Sequence, residues 1–390
     1  MTASLPERSP VLRALIDICG PDFARSARSI DAVDGRRATF VAVPATTSAV
    51  IDTLRLAVER GLGVIPRGSG SKIDWGTPPP GVDLIVDTGR LGGLWDHRPD
   101  ELTAEVGAGT PVRALQAALA LRGQRLAVDP ASRTATIGGM LAVNESGPLR
   151  HRFGSPAEQV NKISYVDGEG VPGESDGEDG RPGIAEVSGI LVSANVRLQP
   201  LPQARRWVTV PVFTPLQVHN LVEETLELDL DPSAIEVDLP VPGARSTAQP
   251  PGTLAVLLEG ETASIGERAA GLASAVGHQA AVSDTAPAWW GRYPFGPAEV
   301  AVRISVAIAD LHAAVYALSD AAGGPVPVRG SAGLGRVHAV LPGTLAADRL
   351  RGFVDTLGHI LLARDGRAVV IAAPPSLAHE VEMADRRDLF

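Results

Sequence analysis

A single cysteine, Cys19, stands among 390 residues, so the chain can form neither an internal disulfide nor a cysteine-built iron–sulfur or zinc site. A reducing compartment suits it, and structural burial is the expected role of the thiol. Aromatic residues make up only 4% of the chain, which leaves little for stacking on nucleobases. Basic residues are also short, 35 Lys and Arg against 45 Asp and Glu for a formal net charge of −10. Nucleic acid and anionic membrane both attract basic surfaces, so neither is expected as the main partner. No apolar run approaches the ~20 residues that span a bilayer, and the opening MTASLPERSP lacks the basic-then-apolar order of a secretory signal. These absences predict a cytoplasmic protein with no direct membrane insertion. The eight histidines are scattered from His97 to His379 with no pair at helical ligand spacing, so no metal site is expected.

Glycine and proline, by contrast, are plentiful: 42 and 32 residues beside a hydrophobic share of 44%. That composition describes many turns around an aliphatic core, and the length suits two domains. Two glycine-rich turns stand out. ATIGGMLAVNESG, Ala135 to Gly147, joins a Thr-Ile-Gly-Gly turn to an Asn-x-Ser-Gly turn, and PRGSGS, Pro66 to Ser71, follows a short apolar run. Glycine removes the Cβ that would hold an anion away from backbone N–H groups, and it admits positive φ, so consecutive amides can converge on a phosphate. Taken singly, either turn is equally well an ordinary strand-to-loop connection. Neither matches G-x-G-x-x-G or G-x-x-x-x-G-K-[ST], which argues against a Rossmann site or a P-loop.

From Val41 the pattern alternates between strand and helix. Thr46 or Thr47 can cap a helix carrying Val50, Leu54 and Val58 on one face until Gly61 stops it. Strands are predicted at Leu62–Ile65 and Val82–Asp87, a helix from Thr110 and Pro111 to Gly123, and a strand at Gly189–Leu198. Asp167 to Gly183, DGEGVPGESDGEDGRPG, lacks apolar periodicity and reads as an acidic flexible loop. It fails the spacing of a calcium loop. The Pro-rich QPLPQ, Gln199 to Gln203, reads as an interdomain hinge. Beyond Arg205, strands at Trp207–Val212, Leu254–Leu258, Val300–Val306 and Ala368–Ala372 alternate with helices near 215–228, 263–276, 309–321 and 345–360. This is the rhythm of a split, mostly antiparallel sheet backed by helices.

In order, PRGSGS, VDLIVDTGRL, AEVGAGTPVRALQAAL, LAVDP, ATIGGMLAVNESGPLRHRFG and GILVSANVRLQPLP resemble the landmarks of the flavin subunits of bacterial glycolate oxidase. These belong to the superfamily with a vanillyl-alcohol-oxidase-type, or PCMH-type, FAD-binding domain. The resemblance implies an α+β protein: a two-lobed PCMH-type FAD-binding domain followed by a ferredoxin-like, mostly antiparallel sheet cap domain. The expected divisions are an N-terminal helical segment at 1–35, the FAD-binding domain at 36–202 and a C-terminal cap or substrate domain at 203–390. It further implies that FAD lies between the lobes, bound noncovalently because Ser69 and Ser71 occupy a turn that carries a flavin-linked His in some relatives. The pyrophosphate would rest on Pro66, Arg67, Gly68, Ser69, Gly70 and Ser71 and on Thr136, Ile137, Gly138 and Gly139. Pro130, Asn144, Ser146 and Gly147 would lie towards the flavin ring, and the Ile190 backbone at the adenine end.

The resemblance implies an oxidoreductase subunit in which flavin accepts a hydride from a small 2-hydroxyacid and passes electrons to a partner redox subunit. Such chemistry needs a cation for the substrate carboxylate and a base near its hydroxyl. Arg150 and Arg152 are the cations nearest the Asn-Glu-Ser-Gly turn, and no base can be named from spacing. Three family stretches are unrecognisable here: a Lys-Asn-Val-x-Gly-Tyr-Asp type segment, a following Gly-Ser-x-Gly-Thr-Leu-Gly, and the usual Phe-Asp-Pro to Asn-Pro-Gly tail, where the chain reads ADRRDLF. These departures define the alternative, a degenerate noncatalytic scaffold or regulatory subunit of such a complex, with weak or lost FAD binding. A third reading is a binding protein for another phosphate.

Overall fold

A computed structural model describes residues 9–176, 184, 187–240 and 252–390. The first lobe is a four-stranded sheet in the order Ala24–Ser26, Phe40–Ala42, Leu84–Asp87, Val64–Arg67. Its last three strands are parallel, as βαβ crossovers require. The helix Thr47–Arg60 makes one crossover. Thr46 accepts the Ala49 amide at 3.1 Å to cap it, and Gly61 closes it at φ 61°. Val50, Leu54 and Ala57 are buried whereas Val58 is half exposed, so the inner stripe turns one residue earlier than the expected one. The helix Pro10–Cys19 packs on this lobe, with Cys19 buried. The helical expectation for 1–35 needs correction at its far end: Ala24–Ser26 pairs with Phe40–Ala42 and completes the sheet.

The second lobe is an antiparallel sheet of Pro172–Ser175, Val160–Asp167, Gly189–Arg197, Thr103–Gly107 and Leu94–Arg98, in that order. Its helix Val112–Ala120 buries Leu115 and Leu119. The expected loop at 167–183 is corrected over its first part. Val160–Asp167 and Pro172–Ser175 form a hairpin around Gly170 at φ 77°, and the acidic stretch 177–183 lies outside the described residues. Gln199–Pro200, read as a hinge, pairs with Gln124–Arg125.

The C-terminal domain holds one eight-stranded antiparallel sheet in the order Ala281–Ser283, Ala204–Val212, Gly252–Gly260, Ala234–Leu239, Val328–Ser331, Arg336–Pro342, Glu299–Ser305, Arg367–Ala372. Each half is a βαββαβ unit with its strands ordered 4-1-3-2, and the two units join edge to edge through Val237 and Gly330. The cap is therefore a tandem pair of ferredoxin-like units. Helices Pro215–Glu227, Thr262–Ala275, Leu311–Ala322 and Ala347–Leu362 bury one face of the sheet. The opposite face turns to the N-terminal domain. Its junction is fixed by Arg125, whose guanidinium grips Glu259 with two bonds of 2.7 Å in a buried pair. Arg205 and Ser233 add bonds to the same carboxylate at 2.8 and 3.1 Å.

Candidate functional site

Two cavities lie on the inner side of this junction. The first, about 510 Å³, is lined by Pro66 to Ser71, Lys72, Ile73, Thr136, Gly139, Val143, Thr77 to Pro80 and Asp385 to Arg387. PRGSGS leaves the parallel sheet at Arg67 and runs directly across the Thr136 turn. A Cβ on Gly68 would stand 2.2 Å from the Thr136 Oγ1, so a side chain there would push the two lobes apart. The amides of Gly68, Ser69, Gly70 and Ser71 donate to no acceptor among the described residues, and Gly70 at φ 77° turns the row inward. The second turn is built differently. The amide of Ile137 donates to the Thr110 carbonyl at 2.9 Å, Gly138 to the Ala108 carbonyl at 2.7 Å and Gly139 to the Thr136 Oγ1 at 3.2 Å. These donors are already engaged. Gly138 and Gly147 serve close chain packing instead, since their Cβ atoms would fall 2.8 Å from the Ala108 Cβ and 1.9 Å from the Asp129 carbonyl oxygen.

The second cavity, about 70 Å³, lies between the Asn-Glu-Ser-Gly turn and the inner face of the C-terminal sheet. Ser146, Gly147 and Arg150 line it from one side and Glu236, Tyr293, Arg329, Ser331, Arg336 and His338 from the other. Side chains two apart on a strand share a face, so Arg336 and His338 point inward while Val337 and Ala339, fully buried, face the helices. Arg303 is paired opposite His338 on the neighbouring strand. The Arg336 Nη1, His338 Nε2 and Glu236 Oε1 are buried without hydrogen-bond partners among the described residues. Burial first, then Arg303, Arg336 and Lys72, hold the His338 pKa down at about 3, so the imidazole is neutral. Burial raises the Glu236 carboxyl to about 8, which keeps it protonated at neutral pH. Arg150 bonds Ser146 Oγ at 3.2 Å and its pKa is lowered, mainly by burial. Arg152 turns away to Asp231 and Ser233.

Between the cavities stands a buried ion pair. Lys72 Nζ lies 3.0 Å from Glu145 Oε1, which also accepts the Tyr293 hydroxyl at 2.8 Å. Trp75 and Tyr293 flank the ammonium at 4.4 and 4.7 Å, and Phe390 stacks on Trp75. Burial lowers the Lys72 pKa despite its partner.

A family model described as an FAD binding domain matches residues 38–172. The chain is 32% identical over 126 residues to glycolate oxidase subunit GlcE of Escherichia coli, covering 32% of this chain and 35% of that one. It is 28% identical over 204 residues to D-2-hydroxyglutarate dehydrogenase of Xanthomonas citri pv. viticola, covering 48% and 43%. Over 132 residues it is 29% identical to D-lactate dehydrogenase of Archaeoglobus fulgidus, covering 34% and 30%. The matches thus span between 30% and 43% of the length of these curated relatives. Among solved structures, alkyldihydroxyacetonephosphate synthase superposes with a TM-score of 0.70 at 16% identity, covering 94% of this chain and 83% of that one. The 4-ethylphenol oxidase of Gulosibacter chungangensis gives 0.69 at 13%, covering 97% and 91%. These last two likenesses concern the fold, and they extend it through the cap.

FAD is the cofactor of this domain, and the first cavity suits its phosphates: a row of four free amides, two of them on glycines, and room of about 510 Å³. The expected site residues divide among three cavities and the packed interior. Pro66, Arg67, Gly68, Ser69, Gly70, Ser71, Thr136 and Gly139 line the first cavity, and Ser146 and Gly147 the second. Pro130 faces a separate cavity at the domain junction with Asp129, Arg205 and Trp290. Asn144 adopts φ 54° and accepts the Ala157 amide at 3.0 Å. Ile137 is fully buried, and Ile190 sits in the core shared by the lobes. Sequence reasoning missed Arg336, His338 and Glu236. For Arg336 and His338 the signal is a polar-apolar alternation, Arg336-Val337-His338-Ala339, inside a strand the sequence pattern does not reveal. Among the described residues no cluster of three or more His, Cys, Asp or Glu could hold a metal ion, and no helix is long and apolar enough to cross a membrane.

Proposed function

We propose that the chain is an FAD-binding oxidoreductase subunit of glycolate-oxidase type, acting on a small 2-hydroxyacid in the cytoplasm and passing electrons to a partner redox subunit. One observation carries the reading. The second cavity presents an unpartnered guanidinium nitrogen of Arg336 and an unpartnered Nε2 of neutral His338 on one strand face, opposite Arg150. Arg336 and Arg150 can hold a carboxylate, and a planar guanidinium fork fits that anion well. His338 Nε2, as a neutral imidazole, can accept the proton of the adjacent hydroxyl. Burial is the main cause of the low His338 pKa, and the smaller contribution from the field of Arg303 and Arg336 is offset once a carboxylate sits among them. An anionic substrate therefore improves its own base. Bound FAD supplies the acceptor for the hydride leaving the same carbon. The relatives' names, glycolate oxidase subunit and D-lactate and D-2-hydroxyglutarate dehydrogenases, support both the substrate class and a multisubunit setting.

The test is anaerobic mixing of FAD-loaded protein with glycolate, D-lactate and D-2-hydroxyglutarate while the visible flavin absorbance is followed. Bleaching by at least one of them is expected, and no bleaching by any 2-hydroxyacid refutes the reading. The alternative, a noncatalytic scaffold, is favoured by the Lys72–Glu145 pair and its aromatic rings, which separate the phosphate cavity from the arginine cavity. It predicts FAD binding without bleaching, and copurification with a catalytic subunit.

A further inference from the structure

The phosphate cavity has four cations on its walls, and three are spoken for. Arg67 bonds Asp87 at 3.0 and 3.1 Å and Asp31 at 3.0 Å. Lys72 is turned to Glu145. Arg386 donates to the Ile73 carbonyl at 2.9 Å and the Thr77 carbonyl at 3.4 Å and lies 3.6 Å from Asp34. The fourth, Arg387, is exposed, and its guanidinium has no partner among the described residues. Its neighbour Asp385 accepts the Arg387 amide at 2.8 Å and caps the turn 386–388 without pairing with the Arg387 guanidinium.

Arg387 is held at this place by a firmly docked segment. Leu389 is fully buried against Ala301 and Ile371, and Arg303 bonds the Asp388 carbonyl at 2.6 Å and its carboxylate at 3.1 Å. Arg386 ties the same turn to residues 73–77, the continuation of PRGSGS. A Cβ on Gly76 would stand 2.9 Å from the Ala384 carbonyl oxygen, so the two segments are in close contact. The C-terminal domain thus delivers one unneutralised guanidinium to the cavity where the N-terminal domain presents the free amides of Gly68 to Ser71.

We propose that Arg387 is a cofactor-binding residue, the cation that the C-terminal domain contributes to the pyrophosphate of FAD. The proposal rests on FAD being the cofactor. Amides alone offer partial charges, whereas a diphosphate carries two full negative charges, and a guanidinium gives it a charge-assisted, two-pronged bond. By thermodynamic reciprocity, a cofactor that grips Arg387 also holds the 383–390 segment against the loop. FAD loading and docking of that segment then reinforce each other.

The experiment compares wild-type full-length protein with R387A and R387K by quenching of flavin fluorescence, using FAD and riboflavin as probes, with ADP as competitor. In R387A the FAD Kd is expected to rise about tenfold, and the ADP inhibition constant by a similar factor, with R387K intermediate. Riboflavin, which lacks phosphates, should bind both proteins alike. Salt should weaken FAD binding to wild type more steeply than to R387A. Thermal unfolding without FAD should be unchanged in R387A, because the side chain has no protein partner to lose. An FAD Kd within twofold of wild type overturns the assignment of Arg387 and leaves the cofactor intact. Absence of FAD binding by wild type overturns both.

Discussion

The cavity proposed for the FAD phosphates, here the phosphate cavity, and the arginine cavity are neighbours with opposite construction. One draws its donors from four consecutive backbone amides, Gly68 to Ser71, in a single turn of the N-terminal domain. The other is assembled from side chains of Arg150, Glu236, Arg336 and His338, which come from a helical turn and two separate strands. A backbone site tolerates any side-chain change that keeps its glycines, and it can persist while the domains loosen. A site of side chains exists only when both domains are docked in register. Binding and chemistry can therefore be separated by mutation.

The largest separation should come from the domain junction. Glu259 is the buried acceptor for Arg125, Arg205 and Ser233, and Glu259→Gln strands the Arg125 guanidinium in a low-dielectric place. Removing one member of a buried pair costs about 3–5 kcal/mol, to be read from urea unfolding. At saturating FAD, flavin quenching should persist while bleaching by 2-hydroxyacid disappears. Equal loss of both would mean that the phosphate cavity depends on docking as much as the arginine cavity does.

Arg336→Met sharpens the contrast within an intact fold. It removes one charged anchor while keeping most of the stem, so kcat/KM for a 2-hydroxyacid should fall roughly a hundredfold, close to ~3 kcal/mol. The FAD Kd should stay within twofold, because Arg336 lines only the second cavity. A shift in FAD affinity of tenfold would contradict the division between the cavities.

These two cavities also differ in how readable they were. The glycine turn is legible because its donors are adjacent in the chain and Gly68 and Gly70 sit where a close approach and a positive φ demand glycine. The arginine cavity was illegible because Arg336 and His338 lie in a strand that short apolar spacing did not reveal, beside Val328–Ser331, also missed. The same omission hid the tandem ferredoxin-like arrangement, although four strands and all four helices were placed within a few residues. Thr136 to Gly139 shows the reverse error. The motif was read as an anion cradle, yet its amides are committed to Thr110, Ala108 and Thr136, and its glycine at 138 answers a packing demand. Arg150 and Arg152 looked equivalent in sequence, and one helical turn sends them to different partners.

Glu236 offers a smaller effect with a definite sign. Its folded pKa of about 8 lies above the ~4.3 of an unfolded Glu. Below about pH 4 both states are protonated and the group contributes nothing. As pH rises towards 8 the unfolded chain releases a proton that the folded one keeps, so stability is lost. Glu236→Gln mimics the neutral acid and should be more stable than wild type at pH 8, with the advantage gone at pH 4. Parallel stability curves across that range would show that the carboxyl ionises freely in the cavity.

Arg152→Ala should do least. Its salt bridge reaches Asp231, whose side chain is 61% exposed, and exposed pairs contribute well under ~1 kcal/mol. The hydrogen bond to Ser233 is long at 3.5 Å. FAD affinity and substrate bleaching should both match wild type, and unfolding should shift by a few tenths of a kcal/mol. The result matters because Arg150, two residues earlier, lines the arginine cavity. Should Arg152→Ala abolish bleaching while the fold holds, the carboxylate anchor would have to be moved from the Arg150 and Arg336 side of the cavity to the domain junction. The proposed seat for the 2-hydroxyacid would move with it.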